Sequence, residues 1–423
     1  MAQEDGDLKE SMLTKTLHRF RVLPDSTRAM VYLYWIYEFS QIIVGLFINI
    51  FVFELTQSLF SLALYNLVFF FFVALGFSGW GYMVAQRQIS LRYNYLRAFT
   101  IYTVSFLLLL FFPRDFSHLL LFAAFNGLGL GMFWVGVHSY EMLTTTDKNR
   151  DFYSSMVSLG TQIFSILSPL IATASFYLSE YVFHLESFEI LFWLLPFVYL
   201  CSFPFLFKLP EYTPKRIPHR EWKRLFFAPN LRPIRAYILA GGLPWGFRST
   251  LIPALSLLSL KTVLNIGVLQ TVVGGVSILT LLFLSHKRHE GNRVTILFYA
   301  VLLLSLSFGL LFFWDRSPAF FIVFSLVLTV VSPIYRVSEH VIDLQTMDRL
   351  TGDHSFYPGL VYRDILIWVG RTLAIGFLCV LLLFTSEEKT LLIGVGAIIA
   401  SYWLVYFRAK RFQTRPVSLN ASR

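Results

Sequence analysis

Twelve long apolar stretches occupy most of this chain, near residues 29–53, 61–84, 96–112, 117–143, 154–179, 187–208, 233–259, 263–285, 294–313, 318–345, 358–384 and 388–407. A helix needs about 20 apolar residues to cross a hydrocarbon layer. The third stretch is short and the tenth ends in polar residues; the others meet that length. Lipid offers the backbone no hydrogen-bond partners, so a chain with this pattern must satisfy its peptide groups inside helices. The expected fold is an all-α integral membrane protein with twelve transmembrane helices. Of 423 residues, 56% are hydrophobic and 14% charged, against about 25% charged in a soluble domain, and no polar shell can cover such a chain.

The formal net charge is +10, but the basic residues are scattered over short loops, which is a topological pattern and excludes a nucleic-acid partner. Arg87, Arg92, Arg97, Lys148, Arg150, the segment KLPEYTPKRIPHREWKRLFFAPNLRP, the loop SHKRHEGNR and the tail RAKRFQTR all fall on the side that holds both termini. The opposite loops carry at most two basic residues each. The positive-inside rule then makes both termini cytoplasmic, in a multi-pass protein of the plasma membrane. The acidic start, MAQEDGDLKE, leads into no short apolar core, so no cleaved signal is expected. Leu8, Met12, Leu13, Leu17 and Phe20 share helical spacing and suggest an interfacial helix within a cytoplasmic segment 1–27. The organisation expected is that segment, a six-helix half over 28–208, a basic linker over 209–232 with four prolines, a second six-helix half over 233–407 and a basic tail over 408–423. Cys201 and Cys379 lie inside apolar segments and read as small buried hydrophobes rather than a disulfide.

The halves resemble each other. WIYEFS from Trp35 matches WGFRS from Trp245 and sets Glu38 against Arg248; HSYEMLT from His138 matches HVIDLQT from His340; Arg150–Asp151 matches Arg363–Asp364. The offsets are 210, 202 and 213 residues, in the same order along the chain. Internal repeats that meet at a midplane site are a recurrent transporter plan.

Twelve spans, cytoplasmic termini, a basic central loop and paired halves resemble the major facilitator superfamily, with GMFWVGVHSYEM, KNRDFYSS, SEHVID and YRDILIWVGR similar to a little-characterised bacterial branch of it. The superfamily's loop signature between spans two and three is degenerate here. It reads GYMVAQRQIS from Gly81, keeping the glycine and Arg87 but placing Ala85 at the aspartate. The antiporter signature is absent from GTQIFSILSP in span five. The resemblance implies a secondary transporter working by alternating access, with spans one, four, seven and ten around a central cavity. It implies no substrate subclass.

An ionised side chain at mid-bilayer costs roughly 2.5–3.5 kcal/mol on insertion scales, so such residues face a cavity or a partner. Glu38 lies about 13 Å into span one at 1.5 Å per residue, with Tyr34 and Gln41 on its face. It is a candidate proton carrier, or a static partner for an arginine. Arg248 follows the sequence GGLPWGF, whose glycines and proline favour a kinked or unwound span seven. Arg371 lies about 12 Å deeper than Arg363, and its register counterpart in the first half is Ser158. A guanidinium binds a carboxylate or phosphate through two parallel hydrogen bonds, so Arg248 and Arg371 point to an anionic or zwitterionic substrate, or else neutralise internal acids. Asn126, Trp134, Trp35 and Trp245 are positioned to line the site or to pack. The glycines Gly127 to Gly131 suit close helix packing.

A shallower set, His138, Glu141, Arg150, Asp151, Arg336, Glu339, His340, Asp343, Arg363 and Asp364, reads as a cytoplasmic gate of ion pairs. His138, Glu141, His340 and Asp343 also have the chemistry of a divalent-metal set, but nothing in the sequence brings them together, and no metal or other cofactor is expected. No nucleophile–base arrangement, phosphate loop or soluble domain is present, so no enzyme is expected. The partners expected are the bilayer, a small-molecule solute and protons, in a monomer. Two alternatives remain open: an efflux transporter of hydrophobic or cationic compounds, and a non-transporting sensor or scaffold on the same fold.

Overall fold

The computed structural model describes residues 18, 20–145, 150–213, 216, 223–224, 226–286, 293–351 and 356–414. The proposed interfacial segment before residue 18, part of the linker and the last residues of the tail lie outside the described residues. Among the described residues twelve long helices follow one another: α1 (Asp25–Thr56), α2 (Leu59–Gln86), α3 (Leu91–Phe111), α4 (Phe116–Thr144), α5 (Arg150–Tyr177), α6 (Glu189–Leu200), α7 (Arg232–Leu260), α8 (Val263–His286), α9 (Arg293–Gly309), α10 (Pro318–Thr351), α11 (Phe356–Phe384) and α12 (Glu387–Thr414). No strand occurs among them.

Eleven of these helices are long and apolar enough to cross a membrane. The remaining one is α7, whose middle reads GGLPWGFRST, with an arginine where a lipid-facing helix would carry an aliphatic residue. It is a continuous helix nonetheless, with Pro244 and Pro253 inside it. The expected unwinding is not found. Gly242 and Gly246 serve contact instead: a Cβ on Gly242 would lie 2.2 Å from the Ile367 carbonyl oxygen, and one on Gly246 would lie 2.4 Å from that of Arg371. The two glycines let α7 and α11 touch backbone to backbone, as small residues do where lipid provides no hydrophobic drive for association.

The first half uses the same device. A Cβ on Gly127 would lie 2.3 Å from the Phe69 carbonyl oxygen, and one on Gly131 would lie 2.4 Å from that of Val73, so α2 and α4 are in close contact. The packing repeats between halves: α2, α3 and α6 pack around α1 and α4 as α8, α9 and α12 pack around α7 and α10. The two most extensive seams between the halves are α2 against α11 and α5 against α8, which exchange under the same two-fold operation, and α1 also meets α7. Side chains such as Phe71, Trp193, Phe197, Leu279, Leu306 and Leu383 are exposed on the outer surface, where acyl chains are their natural surroundings. Cys201 joins that surface and is exposed, against the expectation that both cysteines are buried.

Helix α1 departs from regular geometry at Val44–Ile48, a π-helical turn. A π-turn adds a residue and frees a carbonyl, and such bulges collect at functional sites. Here Asn49 Nδ2 donates to the Gly45 carbonyl at 3.0 Å, and Asn66 Nδ2 on α2 donates to Asn49 Oδ1 at 2.7 Å. The bulge is thereby tied to the neighbouring helix.

Candidate functional site

The two halves enclose a central cavity of about 500 Å³, bounded by α1, α2, α4, α7 and α11. Glu38, Gln41, Arg248 and Arg371 all line it. The repeat that set Glu38 against Arg248 in sequence therefore places them across one space. Among the described residues helix α10 contributes none to this lining. It lines a second chamber of about 640 Å³, displaced toward the end of the bundle that carries the termini, with α1, α4, α5 and α7 as the other walls. Trp134 and Trp245 belong to both linings and form the waist between them.

Each charged group in the cavity has a specific setting. Arg248 donates to the Tyr402 hydroxyl at 3.0 Å and lies over the Trp245 ring at 5.2 Å. Arg371 is ringed by aromatics, 4.1 Å from the Trp368 centroid, 5.6 Å from Trp245 and 5.8 Å from Phe70. Its Nε is buried and without an acceptor. Among the described residues neither arginine has a carboxylate within ion-pair distance. Aromatic faces offer a guanidinium some attraction and take none of its hydrogen-bonding capacity, so the Arg371 fork remains available, and Arg248 keeps the donors that Tyr402 does not take. Glu38 faces the Tyr34 hydroxyl from its own helix. Among the described residues it has no cation in ion-pair range either.

Gln41 Nε2 donates to the Tyr199 hydroxyl at 3.4 Å. Tyr34 lines the second chamber rather than the central cavity. Asn126 is buried between α3 and α4, where its Nδ2 donates to Ser105 Oγ at 3.2 Å, and the cavity walls do not include it. Trp35 is also a packing residue: its Nε1 donates to the Met156 carbonyl at 3.0 Å and its ring fills the space above Gly160.

The charges nearer the terminal end separate into an ion-pair chain and a chamber lining. His138 Nε2 on α4 lies 3.2 Å from Asp364 Oδ2 on α11, a contact between the halves. Arg363 Nε lies 3.4 Å from Asp364 Oδ1 and 3.6 Å from Asp343 Oδ2, joining α11 to α10. Trp134 stacks on the His138 ring at 5.1 Å. Glu141, Arg336, Glu339 and Asp343 line the second chamber, and Glu339 Oε1 accepts from the Tyr335 hydroxyl at 3.2 Å. The side chains of Arg150, Asp151 and His340 lie outside those described.

Sequence reasoning missed Asn49 and Asn66, which line the central cavity beside the π-turn. The available signal was an asparagine inside each of two spans, one of them four residues after Gly45. It also passed over Trp368, whose ring carries Arg371.

No curated protein matches this chain in sequence. Among solved structures, a POT-family transporter in complex with 5-aminolevulinic acid superposes with a TM-score of 0.68 at 9% identity, over 93% of this chain and 99% of that one. The nucleoside transporter NupG gives a TM-score of 0.63 at 9% identity, over 92% and 99%. A mutant of the peptide transporter POT gives 0.63 at 12% identity, over 94% and 98%. Those likenesses concern the fold alone. The sequence model of the Major Facilitator Superfamily matches residues 30–340, and with twelve helices in two six-helix halves around a shared cavity, the chain belongs to the major facilitator superfamily.

Proposed function

We propose that this protein is a secondary active transporter that moves a small anionic or zwitterionic solute by alternating access of its two halves, coupled to protons through Glu38. The observation that carries the reading is a pair of guanidinium groups, Arg248 and Arg371, in one cavity between the halves, neither with a carboxylate in ion-pair range among the described residues. A buried charge with no counter-charge is strongly unfavourable, and a solute carboxylate or phosphate supplies the missing partner through two parallel hydrogen bonds. Glu38, across the cavity, is then free to take an ammonium group of the solute or a proton from water. The aromatic lining would also hold a hydrophobic cation drawn by Glu38, but the two arginines oppose it. The basic loops orient both termini to the cytoplasm of a plasma-membrane monomer, and the second chamber then faces the cytoplasm.

The test is uptake into proteoliposomes of radiolabelled amino acids, including 5-aminolevulinic acid, short peptides and nucleosides, with and without an imposed pH gradient. The expected result is accumulation of an anionic or zwitterionic member only when the gradient is present. Accumulation restricted to cationic or uncharged hydrophobic compounds overturns the assignment of the arginines. Accumulation of the anion without any gradient overturns the coupling.

A further inference from the structure

The end of the central cavity away from the termini is polar without being charged. Asn49 on α1 and Asn66 on α2 line it there, 6% and 1% exposed. Asn49 is about 16 Å further along α1 than Glu38, at 1.5 Å per residue. On α2, Phe70 follows Asn66 by one turn, about 6 Å, on the same face. The Phe70 ring also lines the cavity and lies 5.8 Å from the Arg371 guanidinium carbon. The cavity is thereby graded, with Glu38 toward one end, the arginines between, and two neutral amides at the other end.

Backbone carbonyls fix which way each amide is turned. Asn49 Nδ2 donates to the Gly45 carbonyl at 3.0 Å, and Asn66 Nδ2 donates to the Leu62 carbonyl at 3.1 Å and to Asn49 Oδ1 at 2.7 Å. A carbonyl oxygen only accepts, so the nitrogen of each amide is identified. These bonds use both hydrogens of Asn66 Nδ2. Its Oδ1, an acceptor with two lone pairs, has no donor among the described residues. Tying the π-turn to α2 requires the nitrogen alone. There is also room beside the pair: Gly45 lines the cavity, and nothing lies within 4 Å of a Cβ built on it. An acceptor left unmet when a solute fills the cavity costs free energy, so a solute that fits brings a donor.

We propose that Asn66 is a specificity-determining residue of the solute site, its Oδ1 accepting a hydrogen bond from a neutral donor of the solute, a hydroxyl or an amide N–H, while the arginines hold the anionic group. The inference rests on the transporter reading above and narrows its solute class to anions whose neutral donor lies within one helical turn, about 6 Å, of the charge. Asn49 is a positioning residue. Its bond holds the Asn66 amide so that the oxygen, and not the nitrogen, is left for the solute. Glu38, toward the other end, stays available for an ammonium group or a proton. An unsubstituted alkyl carboxylate satisfies the arginines and leaves Asn66 Oδ1 unmet.

A matched series of carboxylates tests this on the full chain in nanodiscs: pentanoate, 5-hydroxypentanoate and 5-methoxypentanoate. Binding is read from the fluorescence of the tryptophans around the cavity, Trp134, Trp245 and Trp368. The wild type should bind the hydroxy acid about fivefold more tightly than pentanoate, the usual net contribution of one neutral hydrogen bond. The methoxy compound keeps the oxygen but has no donor, and should bind no better than pentanoate. In Asn66→Ala the ratio of hydroxy acid to pentanoate should fall to about one. A role confined to holding the π-turn would weaken all three ligands together and leave their ratios as they are. Asn49→Ala provides a second variant in case Asn66→Ala does not fold. It frees one hydrogen of Asn66 Nδ2, so the methoxy compound should gain on pentanoate. A hydroxy-acid preference that persists in Asn66→Ala, methoxy binding that stays level with pentanoate in Asn49→Ala, or equal binding of all three by the wild type overturns the subsite and leaves the arginine site standing. A wild type that binds none of the three overturns the anion reading, and the subsite with it.

Discussion

Two single-residue predictions separate the roles of the cavity charges. Glu38→Gln keeps the shape and hydrogen bonding of the side chain but cannot ionise. Since no cation lies within ion-pair distance of Glu38 among the described residues, the change leaves no arginine stripped of a partner, and the penalty of about 3–5 kcal/mol for breaking a buried pair does not apply. Gradient-driven uptake should disappear, while counterflow and thermal stability persist. Loss of counterflow together with uptake would show Glu38 to be structural. Arg371→Lys keeps the charge and loses the planar fork, a change that is not conservative at a bidentate or stacked site. Solute affinity should fall about tenfold, equivalent to about 1.4 kcal/mol, in equilibrium binding. An unchanged affinity would remove Arg371 from the solute site.

At the scale of elements, helix contacts depend on glycines that can be told apart by what surrounds them. A Cβ on Gly131 would lie 2.4 Å from the Val73 carbonyl oxygen and 2.5 Å from the Phe77 nitrogen, backbone atoms of α2 that have no rotamer to give. Nothing lies within 4 Å of a Cβ built on Gly376. Gly131→Ala should therefore destabilise the protein by about 1–3 kcal/mol, the usual cost of overpacking. Gly376→Ala should be neutral or slightly stabilising, because alanine is the better helix former. Thermal unfolding of the two variants in the same detergent tests the pair, and equal melting temperatures would contradict the close approach of α2 and α4. The π-turn in α1 is a second local device: Asn49 and Asn66 bind its free carbonyl to α2, so the bulge holds its shape beside the cavity instead of fraying.

For the whole molecule, the end opposite the termini carries its own bond between halves. Glu387 Oε1, at the start of α12, accepts from the Leu59 backbone nitrogen at the start of α2, at 2.8 Å. The N-terminus of a helix presents unsatisfied donors and a partial positive charge, so a carboxylate there is a capping group supplied by the other half. If the halves rock, this contact breaks when that end opens. Glu387→Ala should shift the conformational balance toward opening there, seen as faster labelling of a cysteine placed at Asn66 by a membrane-impermeant maleimide. A labelling rate equal to that of the parent would show that the cap does not restrain the opening.

The sequence by itself determined the helical class, the number of spans, the pairing of the halves and the fact that Glu38, Arg248 and Arg371 had to face an interior space. Each of these follows from one-dimensional physics: the length of an apolar run against the thickness of a bilayer, and the cost of a charge in hydrocarbon. Lateral neighbours were not legible in that way, because 3.6-residue periodicity says which face a residue occupies and not which helix meets it. Asn126 had the depth of a cavity residue but faces α3. The glycines of α7 read as a breaking point, and only the approach of α11 shows them to be a contact surface. Arg336 read as one member of a gate, yet it stands exposed in the second chamber over the Trp245 ring of α7. Tertiary structure decided these roles because each depends on a distance between segments far apart in the chain, and that distance is set by how whole helices pack.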